Sequence, residues 1–332
     1  YFNAQGGIAM KLGSVEIASP LALAPMAGVT DLAFRTICRH MGAGYTVTEM
    51  VSAKALCYQD KKSIPLMELA QDEHPAAVQL FGSDPGCMEE AAAIVMEKAR
   101  PDVIDINMGC PVPKVVKSGD GSALMRDPLL AAQVAKAVIR GAGGTPVTVK
   151  LRSGWDKGSI KCVEVALALQ EAGVAAVAVH GRTRTQMYAG RADWNIIRAV
   201  KETLDIPVMA NGDIFSGEDA AHILRYTGAD MAMVGRGVFG NPWIFRDALA
   251  ALAGEPPPPP PTLQERCDTA MAQFHLALDN KGEKIACLEA RRHYAWYLKG
   301  IPHSGYWKAE LCKAQTMEDL ERCTKGILHD LA

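Results

Sequence analysis

Val103 to Met125 reads VIDINMGCPVPKVVKSGDGSALM, and this stretch decides the fold. Its first six residues form an apolar run interrupted only by Asp105 and Asn107. The run stops at Met108-Gly109-Cys110-Pro111, the pattern of a strand entering a turn. A thiol therefore stands at the C-terminal end of a strand. In parallel α/β folds the loops leaving that end carry the chemistry, because the rigid sheet positions them while the opposite rim holds the fold together. A lone cysteine beside a proline is most often a small buried apolar residue. Its position at a strand tip, followed by the basic and flexible Lys114, Lys117, Gly119 and Gly121, makes Cys110 a candidate for chemistry.

Outward from this strand a repeating grammar emerges. Short β-rich apolar runs recur near Leu23, Val47, Val78, Ile104, Val149, Val177, Met209 and Met233, with helix-like stretches between them. Several helices show their boundaries. Thr30 or Asp31 caps a helix that stops at Gly42; Pro85 follows Ser83-Asp84 in a first turn; Asp127-Pro128 opens an Ala-rich helix that ends at Gly141. Lys161 to Glu171 ends at Gly173, and Ser216 caps a helix closed near Gly228. Eight strand-helix units predict a (β/α)8 TIM barrel. A doubly wound open sheet shares the alternation but has fewer strands and often a GxGxxG turn after the first. Here the first strand ends Ala24-Pro25-Met26-Ala27-Gly28, which favours the barrel. Leu12 to Ile17 reads as half of a hairpin plugging the barrel floor.

From Glu255 to Pro261 the sequence is EPPPPPP, a stiff polyproline linker. Beyond it no strand is evident, and residues 262–332 read as a small helical bundle with helices at Leu263–Leu278, Ile285–Leu298, Gly305–Ala314 and Met317–Leu328. The expected organisation is a catalytic barrel over residues 10–254, a linker over 255–261 and a helical domain over 262–332. In the bundle Arg291, Arg292 and Lys299 share a helix with Tyr294, Trp296 and Tyr297. Interleaved rings and cations suit RNA; equally, the rings could be bundle core and the charges a solvated face.

Composition narrows the class. Hydrophobic content of 49% and charged content of 22% describe an ordinary globular chain. No apolar run reaches the ~18–20 residues needed to span a bilayer. The first nine residues lack the pattern of a signal peptide and read as an expression remnant, with Met10 as the start. Nine cysteines without a CxxC pair argue against a disulfide framework or a metal site and for a reducing cytoplasm. A net charge of −2 excludes nucleic-acid binding by bulk electrostatics, so an RNA partner needs a local basic surface. Nothing calls for a membrane or an obligate protein partner.

The other strand tips choose polar residues consistently. They carry Gln79, then Lys150 and Arg152, then His180-Gly181-Arg182-Thr183-Arg184, then Asn211-Gly212-Asp213, and finally Gly235-Arg236-Gly237. Alternate residues of a barrel strand point inward, so these side chains converge on one mouth. A single histidine at a strand end is more often structural than catalytic, but a set around one mouth is harder to dismiss. The glycines of the last two loops let backbone N–H groups approach a phosphate, with Arg236 supplying charge. Lys150 and Gln79 could hydrogen-bond the pyrimidine edge of a flavin.

With APMAGVTDLAFR (24–35), DINMGCPVPKVVKSGDGSALM (105–125), VKLRSGW (149–155), HGRTRTQMYAGRADW (180–194), ANGDI (210–214) and VGRGVFGNPWIF (234–245), the chain resembles the tRNA-dihydrouridine synthase family. The likeness spans nearly all of residues 10–332 and is strongest to the bacterial B-type, nitrogen-regulation-like subgroup.

The resemblance implies an FMN-dependent oxidoreductase, reduced by NADPH, that saturates the C5–C6 double bond of uridine in tRNA. Cys110 would be the general acid that protonates C5 while hydride from reduced FMN reaches C6. Pro25, Met26, Ala27, Gln79, Lys150, His180, Asn211, Gly212, Asp213, Gly235 and Arg236 would line the FMN site. Asn107 and Arg184 would contact the target base, Lys114 and Lys117 the RNA backbone, and Arg291 and Arg292 the RNA from the tail. Hydride addition to an enone-like pyrimidine creates enolate character at C5 and O4, so an acid and nearby cations are needed on that face. A stacked uridine must be flipped into the mouth, which gives a second RNA-gripping domain its purpose. The rivals are a flavin barrel acting on a free pyrimidine, which needs no helical tail, and a tRNA- or FMN-binding regulator without turnover, which needs no thiol.

Overall fold

A barrel strand has two buried faces, one toward the barrel interior and one toward the surrounding helices, so its sequence is apolar almost throughout. That is the character of the eight runs. The computed structural model describes residues 10–331; the expectation about the first nine residues, and Ala332 of the tail, lie outside them. Strands β1 (Met10–Leu12) and β2 (Val15–Ile17) form an antiparallel hairpin. The segment expected to be half a hairpin is thus a whole one, folded at Gly13, and Leu12 and Ile17 are buried at the barrel floor.

Strands β3 (Leu21–Leu23), β4 (Tyr45–Ser52), β5 (Ala76–Phe81), β6 (Val103–Met108), β7 (Val147–Arg152), β8 (Ala176–His180), β9 (Val208–Asn211) and β10 (Met231–Val234) follow. All pair in parallel with their neighbours, and β10 closes onto β3 with Ala232 opposite Leu21. The eight sequence runs each fall inside one of these strands. Around them stand α1 (Leu32–His40), α2 (Ala53–Cys57), α3 (Pro85–Lys98), α4 (Pro113–Lys117), α5 (Pro128–Gly141), α6 (Cys162–Ala172), α7 (Trp194–Thr203), α8 (Gly217–Thr227) and α9 (Ile244–Ala253). The caps read from sequence are formed: Asp31, Asp84, Asp127 and Ser216 each accept a backbone N–H of their helix's first turn. Helices α2 and α4 are single turns, too short for a periodic signal.

Strand alternation sorts the side chains. In β6, Ile104 and Ile106 face the helical layer, while Val103 packs in the floor cluster with Ala77, Ala176, Met209 and Met231. Two residues on from these apolar positions come Asp105, Gln79, Asn211 and Met233, and beyond them Asn107, His180 and Gly235. The interior therefore grades from apolar at the floor to polar at the carboxyl mouth.

Residues 255–261 have no regular structure, and α10 (Leu263–Lys281), α11 (Glu283–Tyr297), α12 (Gly305–Leu311) and α13 (Met317–Leu331) form the tail bundle. Thr262 and Glu265 cap α10 reciprocally. The bundle docks on the barrel through Lys281, whose Nζ lies 2.7 Å from Asp31 Oδ2, and through Trp296, stacked on Phe239 with centroids 4.3 Å apart. Gly240, at φ +65, lies so close to α11 that a Cβ would stand 2.2 Å from the Trp296 carbonyl carbon. No helix of the described residues is long and apolar enough to cross a membrane.

One buried ion pair ties α1 to the loop before β5. Arg35 donates to both carboxylate oxygens of Glu73, with Nη2 to Oε2 at 3.0 Å, and Thr46 Oγ1 adds a 2.8 Å bond. Replacing Arg35 with Leu leaves a fully buried carboxylate without its cation. We expect Arg35→Leu to lose about 3–5 kcal/mol of stability, read as a lower urea midpoint at unchanged slope.

Candidate active site

At the carboxyl ends of the strands lies a cavity of about 410 Å³, within the roughly 300–1,000 Å³ range of small-molecule sites. Cys110 and Asn107 line it, as do Pro25, Met26, Ala27, Gln79, Lys150, His180, Asn211, Gly212, Asp213, Gly235 and Arg236. The strand tips chosen from sequence thus converge on one volume. Lys114, Lys117, Arg184, Arg291 and Arg292 are not among the lining residues.

The thiol is held by its backbone. Asn107 Oδ1 accepts from the N–H groups of Gly109 at 3.1 Å and Cys110 at 2.8 Å. The Cys110 carbonyl accepts from Ser122 Oγ at 2.8 Å. Gly121, at φ +59, makes that approach possible, since a Cβ there would sit 2.9 Å from the Cys110 carbonyl oxygen. Arg152 Nε closes the turn from the other side by donating to the Gly109 carbonyl at 2.8 Å. Burial pushes the Cys110 thiol above the ordinary cysteine value, against the opposing pull of the Val112 backbone, Arg152 and Lys150. The group therefore keeps its proton at neutral pH.

Asn107 is itself held by a chain running to the barrel interior. Its Nδ2 donates to Gln79 Oε1 at 2.9 Å. Gln79 Nε2 donates to Asp105 Oδ2 at 2.6 Å, and Thr148 Oγ1 donates to Asp105 Oδ1 at 2.6 Å. Only one orientation of each amide satisfies this chain. Desolvation raises the Asp105 pKa, while its bonds to Gln79 and Thr148 and the charge of Lys150 hold it down.

Cations surround the cavity. Lys150 Nζ donates to Asn211 Oδ1 at 3.1 Å, and Asn211 Nδ2 donates to the Met233 carbonyl at 2.7 Å. Burial, then Arg152, lowers Lys150 to about 8. His180 is pushed well below the ordinary histidine value by burial and by Lys150, Arg152, Arg182 and Arg236, so it is a neutral imidazole. Its Nε2 lies 3.5 Å from Arg182 Nη1, and a guanidinium can only donate, so Nδ1 carries the proton. Asp213 lines the cavity, yet its carboxylate is engaged by Arg182 at 2.8 Å, by Arg236 at 3.6 Å and by the Ala192 N–H at 2.7 Å. Arg182, fully buried, was read from sequence only as part of a loop.

The RNA-facing expectations fare differently. Lys114 and Lys117 are exposed on α4, directly after the Cys110 turn. Arg291 donates to the Ala314 carbonyl at 3.0 and 2.7 Å, joining two parts of the bundle. Arg292 donates to the Gly28 carbonyl and lies over Trp296, which places it at the junction of bundle and barrel. Tyr294 and Tyr297 are fully buried in the bundle core, so the core reading of those rings holds. Sequence reasoning places Arg152 among the converging strand tips without a specific role and gives none to Asp105, Met50, Tyr188, Phe215 and Phe239; for Asp105 the signal is its break in an apolar strand.

The dihydrouridine synthase (Dus) family matches residues 22–330. The chain belongs to the dihydrouridine synthase family. It is similar to tRNA-dihydrouridine synthase B of Pasteurella multocida, 42% identical over 292 residues, covering 88% of this chain and 87% of that one. It is likewise 42% identical to tRNA-dihydrouridine synthase B of Pseudomonas aeruginosa, covering 92% of each chain. Among solved structures, an old yellow enzyme homologue from Zymomonas mobilis superposes with a TM-score of 0.56 at 14% identity, covering 75% of this chain and 93% of that one. This last likeness shows the barrel fold alone. Family membership covers both barrel and bundle.

Lys150 gives a pH signature. In the folded chain it releases its proton near pH 8, whereas unfolded lysine holds it to about 10.4. Between these values the unfolded chain binds the extra proton, so this group's contribution to stability rises with pH. We expect Lys150→Met to abolish that rise, measured as the difference between urea midpoints of wild type and variant at pH 7.5 and pH 10.

Proposed function

We propose that the protein is an FMN-dependent tRNA-dihydrouridine synthase that reduces the C5–C6 double bond of uridine in tRNA, with NADPH as reductant. The observation that carries this reading is the single cavity in which a protonated thiol, a fixed asparagine and a surplus of cations meet, in a chain of this family.

The cavity suits FMN on its own chemistry. Lys150, Arg152, Arg182 and Arg236 face only the carboxylates of Asp213 and Asp105, leaving positive charge for a phosphate and an electron-rich ring. A Cβ built at Gly235 would meet nothing closer than 3.8 Å, so the space over that backbone is left for a ligand. Gly235 and Arg236 would hold the phosphate. Gln79 and Lys150, each with an N–H not used within the chain, would bind the pyrimidine edge. Pro25, Met26 and Ala27 would cover an apolar face, with His180, Asn211, Gly212 and Asp213 completing the wall. Bound there, the flavin would supply hydride for C6 of uridine.

The remaining work falls to this chain's side chains. Cys110 Sγ holds the proton destined for C5, and its raised pKa keeps it loaded at neutral pH. Lys150 and Arg152 steady the negative charge that develops on the pyrimidine before that proton arrives. Asn107, fixed through its carbonyl, offers its amide to the target base. Arg184 borders the target nucleotide from the rim, and Lys114 and Lys117 reach the RNA backbone beside the thiol. We assign catalysis to residues 10–254, a spacer role to 255–261 and the grip on tRNA to 262–332, where Arg292 stands at the junction and Arg291 holds the bundle together. All nine cysteines are free thiols, which supports a cytoplasmic location.

Cys110→Ala removes the proton donor without touching the cofactor wall. We expect the purified variant to retain flavin absorbance and to form dihydrouridine at least about 10²-fold more slowly when supplied with NADPH and unmodified tRNA. A variant as fast as wild type overturns the acid role. Activity on free uridine that survives deletion of residues 262–332 would favour the small-pyrimidine alternative.

A further inference from the structure

Outside the cavity, on the same carboxyl face, two arginines share one indole. Arg126 ends the 3₁₀ turn Gly121–Arg126, the turn whose Ser122 grips the Cys110 carbonyl. Trp155 follows β7, and Arg184 follows β8. The guanidinium carbons of Arg126 and Arg184 lie 4.9 and 4.8 Å from the Trp155 ring centroid. Backbone bonds lace the two loops together, from Arg184 N–H to the Gly154 carbonyl at 2.9 Å and from Thr185 N–H to the Trp155 carbonyl at 3.1 Å. The ring is thus held in place by the β7 and β8 loops, and the Arg126 turn is tied to the thiol loop.

Two like charges held on one ring stand within about one Debye length of each other, so they repel unless an anion joins them. None does among the described residues: neither guanidinium forms a salt bridge or a side-chain hydrogen bond there, and Arg184 Nε is buried without a partner. The carboxylates adjacent in sequence, Asp127 and Asp156, form no salt bridge with either arginine; each has one oxygen on a backbone N–H, of Leu130 and of Gly158. Elsewhere around the mouth the cations Arg182 and Arg236 do have a carboxylate, that of Asp213. Lys150 and Arg152 also lack a salt bridge, but they line the cavity, whereas Arg126 and Arg184 stand outside its wall.

We propose that Arg126, Trp155 and Arg184 form a phosphodiester clamp that grips the tRNA backbone beside the uridine entering the cavity. The clamp rests on the tRNA-reducing function proposed above. Trp155 acts as a spacer: it fixes two planar donors at a set separation and limits the rotamer entropy lost when phosphate binds. The site lies outside the cavity wall, where the phosphates of a flipped nucleotide must remain while its base goes in.

The test uses the full-length, flavin-loaded protein and an unmodified tRNA transcript. Binding is measured by fluorescence anisotropy across a salt series for wild type, Arg126→Ala and Trp155→Leu. Arg126 is exposed, so its replacement keeps the experiment interpretable even if Trp155→Leu folds poorly. We expect Arg126→Ala to raise the tRNA Kd roughly three- to tenfold and to make the slope of log K against log salt shallower by about 0.7 to 1. Trp155→Leu, which keeps both charges and removes their spacer, should weaken binding to a similar degree. Unchanged affinity and slope in Arg126→Ala overturn the clamp. A raised KM for NADPH in flavin reduction without RNA, at unchanged tRNA affinity, also overturns it by assigning the anion to the dinucleotide. Wild-type protein that binds no tRNA fails before any variant is compared, and that result rejects the underlying function as well as the clamp.

Discussion

The site depends on a row of hydrogen bonds that begins in the barrel interior. Asp105 accepts from Thr148 and Gln79, Gln79 accepts from Asn107, and Asn107 caps the turn that presents Cys110. The links lie in a low-dielectric interior, where each polarises the next, so the chain behaves as a unit. Its foundation is a carboxylate that burial would prefer neutral. Two donors, Gln79 and Thr148, and one cation, Lys150, hold it, and through it they hold the amide that shapes the thiol's turn. The scaffold's rigidity thus becomes the thiol's orientation, without any contact between Asp105 and Cys110.

Electrostatics divide the mouth into two kinds of cation. Arg182 is engaged on all sides, by Ala189 and Gly190 carbonyls and by Asp213, and acts as a strut. Lys150 and Arg236 keep unused N–H groups and face open space. A neutral His180 adds polarity without adding charge, while Lys150, lowered to about 8, still carries its charge at neutral pH. The cavity is built to receive negative charge, which is the common requirement of a phosphate, a reduced flavin and a pyrimidine being reduced.

How much of this the sequence showed follows from range. The strands, the caps at Asp31, Asp84, Asp127 and Ser216, and the convergence of strand tips were legible because each rests on a local rule: alternation, a capping side chain, a parallel sheet's polarity. Asp105 stands out as a break in an apolar strand, but its partners Gln79 and Thr148 lie on the two flanking strands, far away in sequence, and no local pattern names them. Arg291 and Arg292 show the same limit on a helix. Successive residues are about 100° apart around the axis, so one turns into the bundle and its neighbour toward Gly28. Sequence adjacency made them look alike, and the fold gave them different tasks.

The turn between Arg236 and Gly240 carries a consequence of its own. Its first residue lines the cavity, and its last is pressed against the backbone of α11, with Phe239 stacked on Trp296 between them. Bundle and cavity therefore meet at this short turn, beside the contacts of Lys281 with Asp31 and of Arg292 with Gly28. A bundle transplanted from a relative would therefore have to reproduce both the ring that stacks on Phe239 and the close backbone approach at Gly240, or the turn that carries Arg236 would have to move.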